Sequence, residues 1–179
     1  MSGLPDWAVV TPARRAHVER VAALVASWAQ GWRTPEAERS RWLRAVYLHD
    51  ALRDAPVSRL KELSPLDWGV AALLHGPAAA EEARRRGEAD DGVLTAVRYH
   101  TVGWAEWDRV GQVLYLADYL EPGRPFAREE RAVLAAAVPG DLAGTLRAVV
   151  RSRITWVLGQ GWHLHKETVD FWNALVAGD

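Results

Sequence analysis

Apolar residues recur along most of this chain at three- and four-residue intervals, and no run of alternating apolar and polar positions marks a strand. The first such face carries Val18, Val21, Ala22, Val25 and Trp28. Thr11-Pro12 ahead of it gives a capping hydroxyl followed by proline at the first helical position, which predicts a helix over 12–29. Thr34-Pro35 with Glu38 repeats the start signal, and the face through Trp42 and Val46 predicts a helix that ends at or near His49-Asp50. After Pro56, Leu60 and Leu63 predict a short helical turn. Pro65 and Asp67 open a segment expected to end at His75-Gly76, with glycine as the terminator. Pro77 begins an alanine-rich charged helix reaching about Gly87, and Asp90-Asp91 begins another through Leu94, Val97 and Arg98 that closes at His100, before Gly103. An apolar helix over 106–120 is cut off by Pro122-Gly123 and Pro125, and helices near 127–137, 141–158 and 166–177 complete an all-α pattern.

Composition narrows what such a bundle does. With 179 residues, 49% of them hydrophobic and 25% charged, one domain with a sizeable core is expected and disorder is not. The absence of cysteine rules out disulfides and thiolate metal sites, so a metal would be held by imidazole and carboxylate. Neither a secretory start nor a run of about 20 apolar residues is present, which points to a cytoplasmic protein. A net charge of −1 lacks the field of a nucleic-acid binder, so an anionic ligand would be met by locally gathered arginines. The ten tryptophans read as core packing and receive no function; exposed ones would be compatible with a homodimer patch.

Four of the six histidines, His17, His49, His75 and His100, sit in apolar helical contexts at or near helix ends. A single such histidine is ordinarily a satisfied core residue, but the order of these residues changes the weighting. The adjacent pair His49-Asp50 can turn both side chains toward one ion only where a helix ends. Upstream His17 and downstream Asp118 complete a set of two nitrogens and two hard oxygens suited to iron, manganese or zinc. Asp118 lies among Leu114, Tyr115, Leu116, Ala117, Tyr119 and Leu120, where a carboxylate is costly unless metal-bound or paired with an arginine. Runs such as Arg84-Arg85-Arg86 read as solvated charge.

Arg14-x-x-His17, Leu48-His49-Asp50, Leu74-His75-Gly76, Tyr99-His100-Thr101-x-Gly103, Asp118-Tyr119-Leu120-Glu121-Pro122-x-Arg124 and His165-Lys166-Glu167-Thr168 with Asn173 span nearly the whole chain. On these motifs the sequence resembles the YqeK family of symmetrical bis(5'-nucleosyl)-tetraphosphatases, a branch of the HD-domain superfamily. The resemblance implies a single HD domain over 1–179, with a metal-bearing core at about 12–125 and C-terminal helices at about 126–179 that help close a nucleotide site. It implies an iron-type metal on His17, His49, Asp50 and Asp118, and hydrolysis of diadenosine tetraphosphate to two ADP. Arg53 stands where the family carries lysine, a planar fork in place of a point charge.

His75 and His100 admit two roles, a second metal or contact with the phosphate chain together with Thr101, and the resemblance inclines toward the second. Metal-activated water would attack phosphorus, with Asp50 at the metal and Asp54 as a candidate for orienting the water. Arg14, Arg53, Arg124, His165 and Lys166 would meet phosphate charge, while His163 is set aside. Two rival readings remain: an HD nucleotidase or phosphodiesterase acting on another nucleotide, and a non-catalytic nucleotide-binding HD module.

Overall fold

The computed structural model describes residues 3–177. Among them the chain forms α1 (Pro12–Gly31), α2 (Glu36–His49), α3 (Val57–Leu63), a 3-10 turn (Ala71–Leu73), α4 (His75–Arg85), α5 (Asp91–Tyr99), α6 (Arg109–Leu120), α7 (Arg128–Ala137), α8 (Leu142–Gly159) and α9 (Lys166–Val176), with no strand. None of these helices is long and apolar enough to cross a membrane.

Helices α1, α2, α4, α5 and α6 pack on one another around a core that includes Val21, Val25, Trp42, Val46, Leu48, Val97, Val113 and Leu114. α7 and α8 lean on α6, and α9 lies against α8. Phe171 anchors α9: it is buried edge-on against Trp107 and Tyr115, with ring centroids 5.2 and 5.6 Å away. It also presses on Gly103, where an added Cβ would sit 2.4 Å from the Phe171 ring and the backbone holds φ at +91°.

Among the helix caps, the sequence signalled Thr11 and Asp90, while Asp108 and Asp141 went unmarked. Thr11 Oγ1 accepts from Arg14 N, Asp108 caps α6 and Asp141 caps α8. Thr34 does not cap α2; the helix follows Pro35, and Glu38 instead accepts from Trp42 Nε1 at 2.8 Å. A larger departure concerns residues 65–76. His75 starts α4 instead of ending the preceding segment, which is irregular apart from the 3-10 turn. Gly76 is therefore no terminator. A Cβ there would lie 2.9 Å from Val97 O and 3.1 Å from His100 Cε1, so glycine is what lets α4 approach the end of α5.

Asp90 ties α5 to α2. It accepts from Gly92 N and Val93 N as the N-cap, and from Arg41 Nε at 2.7 Å and Arg44 Nη2 at 3.1 Å. The Arg41 hydrogen bond, opposed by burial, lowers its pKa to about 2. A depressed folded-state value means that this stabilisation is complete above the ordinary carboxyl range and is lost as pH falls toward 2. Asp90→Asn, which keeps a capping oxygen, should cost about 2 kcal/mol at pH 7. In urea titrations the gap between variant and wild type should narrow steadily from pH 5 to pH 2.5; a constant gap would show that charge contributes nothing.

Candidate metal centre and cleft

Helix ends converge on one point. His17 lies one turn into α1, His49 closes α2 with Asp50 as its C-cap, His75 opens α4, His100 caps the end of α5, and Asp118 sits in the last turn of α6. All six are buried. Each imidazole is oriented from behind. His49 Nδ1 donates to Val46 O at 2.6 Å, His75 Nδ1 to Ala72 O at 2.9 Å and His100 Nδ1 to Val97 O at 2.8 Å. His17 Nδ1 donates to Glu121 Oε1 at 3.1 Å. Because a carbonyl can only accept, these bonds place the proton on Nδ1 and leave Nε2 facing the cluster, the arrangement that orients metal-binding histidines.

Asp50 is shared by all four rings. Its Oδ2 lies 3.6 Å from His17 Nε2 and 3.5 Å from His49 Nε2, while Oδ1 lies 3.1 Å from His75 Nε2 and 3.8 Å from His100 Nε2. Asp118 Oδ1 lies 3.0 Å from His17 Nε2 and 4.0 Å from His49 Nε2. Two donor sets result, His17-His49-Asp50 and Asp50-His75-His100, each compact enough to surround one ion. The fit to a divalent cation rests on an unmet requirement: Nε2 of His17 and of His49 are buried without a hydrogen-bond partner, the 3.0 Å approach to Asp118 lacking hydrogen-bond direction. His75 Nε2 and His100 Nε2 stand 3.1 Å apart. With both protons on Nδ1, two lone pairs face each other, which is unfavourable unless a cation or proton lies between them.

Electrostatics agree. Burial would raise the Asp50 carboxyl, but His49, His75 and His100 hold it well below the usual range. Burial likewise opposes ionisation of Asp118, and Arg124 and His17 overcome it. Burial pushes His49 down and His100 down to about 3. His17 is raised because Asp118 and Asp50 outweigh its burial.

Above the cluster opens a cleft of about 870 Å³. Of the residues singled out in the sequence, Arg14, Asp50, Arg53, His75, His100, Thr101, Asp118, Arg124 and His165 line it. Arg14 Nη1 reaches Asp50 Oδ2 at 2.8 Å, and Arg124 Nη2 meets both Asp118 Oδ1 and, at 3.0 Å, Asp118 O. Asp118 is thus paired with an arginine, with the His17 ring beside it. Thr101 Oγ1 is buried without a partner.

Two expectations require correction. Asp54 is exposed, does not line the cleft and accepts from Thr11 N at 2.7 Å, pinning the segment before α1. Lys166 is exposed outside the cleft and pairs with Asp170 one turn along α9. His163, set aside in the sequence, also lines the cleft.

Sequence reasoning also missed six residues that build the site. Glu121, fully enclosed, supports His17 and is held by Arg20 Nε at 2.5 Å and Gly123 N at 2.7 Å. The cost of burying a carboxylate, which marked Asp118, applies equally to Glu121 and would have found it. Arg131 is buried against the turn after α6, donating to Tyr119 O at 2.8 Å, Arg124 O and Phe126 O at 3.2 Å each, and Glu121 O, and so fixes the loop that presents Arg124. No local signal in the sequence separates it from surface arginines. Arg153 donates to Thr101 O at 2.7 Å from α8, and Trp68, Trp156 and Trp162 add aromatic surface to the cleft.

Residues 14–123, more than half of the sequence, match the HD domain family. The chain belongs to that family. It is 32% identical over 105 residues to the symmetrical bis(5'-nucleosyl)-tetraphosphatase of Halalkalibacterium halodurans, covering 58% of this chain and 55% of the relative. With the protein of the same name from Bacillus subtilis it shares 28% identity over 142 residues, 75% of each chain. The chain therefore spans little more than half of the first relative's length. Among solved structures, an HD superfamily hydrolase from Clostridium acetobutylicum, described as predicted to be one and as involved in NAD metabolism, superimposes with a TM-score of 0.84 at 26% identity. That match covers 95% of this chain and 92% of the other.

If Glu121 supports the metal through His17, Glu121→Gln should weaken metal affinity roughly 10- to 100-fold in a chelator-competition titration. An unchanged midpoint would remove Glu121 from that role.

Proposed function

We propose that this HD-domain chain is a metal-dependent phosphohydrolase that cleaves diadenosine tetraphosphate symmetrically into two ADP. The observation that carries the reading is the pair of buried imidazole-carboxylate sets sharing Asp50 beneath an arginine-lined cleft, in a chain whose curated relatives bear that activity name. His17, His49, Asp50 and Asp118 would hold the first ion. The facing Nε2 atoms of His75 and His100 favour a second ion there over direct phosphate contact. Iron is the expected metal, with manganese and zinc compatible with the same ligands.

When bound, such ions supply positive charge that acidifies water and polarises a phosphoryl group. One water is consumed: its oxygen joins a phosphorus at the centre of the tetraphosphate, the bond from that phosphorus to the central bridging oxygen breaks, and each half leaves as ADP. Around that centre the chain's own residues do the positioning. Arg14, held by Asp50, Arg53 and Arg124 line the cleft as cations for the phosphate chain. Arg53 presents a planar fork where the family carries lysine, which suits two-point contact with phosphate. Thr101 Oγ1, lacking any partner in the protein, is a free donor for a phosphoryl oxygen. A cytoplasmic location fits both a nucleotide substrate and a chain without cysteine.

Purified protein should carry two metal equivalents by elemental analysis and convert diadenosine tetraphosphate to ADP alone by chromatography. His49→Ala should lose both properties. AMP together with ATP as products, or faster turnover of another nucleotide, would reassign the substrate; a single equivalent would return His75 and His100 to phosphate contact. Arg124→Ala should lower kcat/KM at least about tenfold with metal content unchanged, the loss expected for a charge-assisted contact to phosphate.

A further inference from the structure

Among the described residues, two of the large hydrophobic side chains that stand exposed are tryptophans, Trp156 and Trp162, each 56% exposed. Trp28, Trp42 and Trp107 are buried in the core, so exposure of this pair is not a general property of the ten. The two rings meet edge to face, centroids 5.0 Å apart and planes at 89°, forming an upright corner. Both line the same cleft as the arginines and the histidine cluster.

The order of groups along α8 gives that corner a direction. Arg153, Trp156 and Val157 share one face of the helix and all border the cleft. Arg153 is tied to Thr101 O, next to His100, and Trp156 lies about one helical turn, roughly 5 Å, farther along the axis. From the His100-Thr101 corner outward, the cleft thus offers an arginine first and flat apolar surface next, an order that suits the phosphate and base of a nucleoside diphosphate.

We propose that Trp156 and Trp162 form a nucleobase-stacking subsite, one ring offering its face to the base and the other closing the base's edge. The inference rests on the phosphohydrolase reading for its ligand class. It assigns the base to a segment of the chain beyond residues 14–123, the stretch that matches the HD family. A π-face contact of this kind depends on the ring more than on a particular base, so phenylalanine should substitute where alanine does not.

The test is calorimetric binding of ADP and of pyrophosphate, which lacks base and ribose, to the metal-loaded protein and to Trp156→Ala, Trp162→Ala and Trp156→Phe. The expected result is ADP affinity about tenfold weaker in each alanine variant, close to wild type in Trp156→Phe, and pyrophosphate affinity unchanged throughout. Equal losses for ADP and pyrophosphate, unchanged ADP binding, or no preference of the wild type for ADP over pyrophosphate would each overturn it. So would a change in oligomeric mass with ADP binding unaltered, which would give the pair to a second copy of the chain. Because binding is read without turnover, the subsite stands or falls apart from whether diadenosine tetraphosphate is hydrolysed.

Discussion

A buried carboxylate has to be surrounded by something that favours its charge, and Asp50, 3% exposed, is where this fold meets that demand. Its two oxygens face four imidazoles delivered by α1, α2, α4 and α5, and Arg14 reaches the same carboxylate. Moving any of these helices along its axis by a single residue, about 1.5 Å, would break the convergence. The close approaches elsewhere in the core, such as Gly76 against the end of α5, serve that register.

Support for the cluster is layered. Backbone carbonyls three residues back hold the rings of His49, His75 and His100, and Glu121 holds His17. Arg20 and Arg131 in turn secure Glu121 and the loop after α6, the first through the carboxylate and the second through main-chain oxygens. Charge, hydrogen bonding and chain direction thus reinforce one another, and a preorganised set of lone pairs is the outcome.

Much of this was legible in the sequence because it is local. Helix periodicity gave the bundle, and His49-Asp50, His17 and Asp118 identified themselves as polar residues in apolar faces. What escaped were features defined only by tertiary approach. Gly76 reads as a stop signal until α5 is packed against it. Asp54 looks like a companion to Arg53 until the segment before α1 folds back to use it. Arg131, Arg153, Trp156 and Trp162 carry no mark that separates them from the other arginines and tryptophans, since their roles come from which surface α7, α8 and the turn after α8 present to the rest.

The anchoring of α9 through Phe171 against Gly103 has a further meaning. It stitches the later part of the chain to the His100-Thr101 corner, where Thr168 Oγ1 on Val102 O and Arg153 on Thr101 O hold the same junction. Through that junction the His-Asp cluster is held in register with the cleft wall that α8 and the turn after it supply. A side chain at position 103, or loss of the ring at position 171, would therefore loosen the cleft from a point outside it.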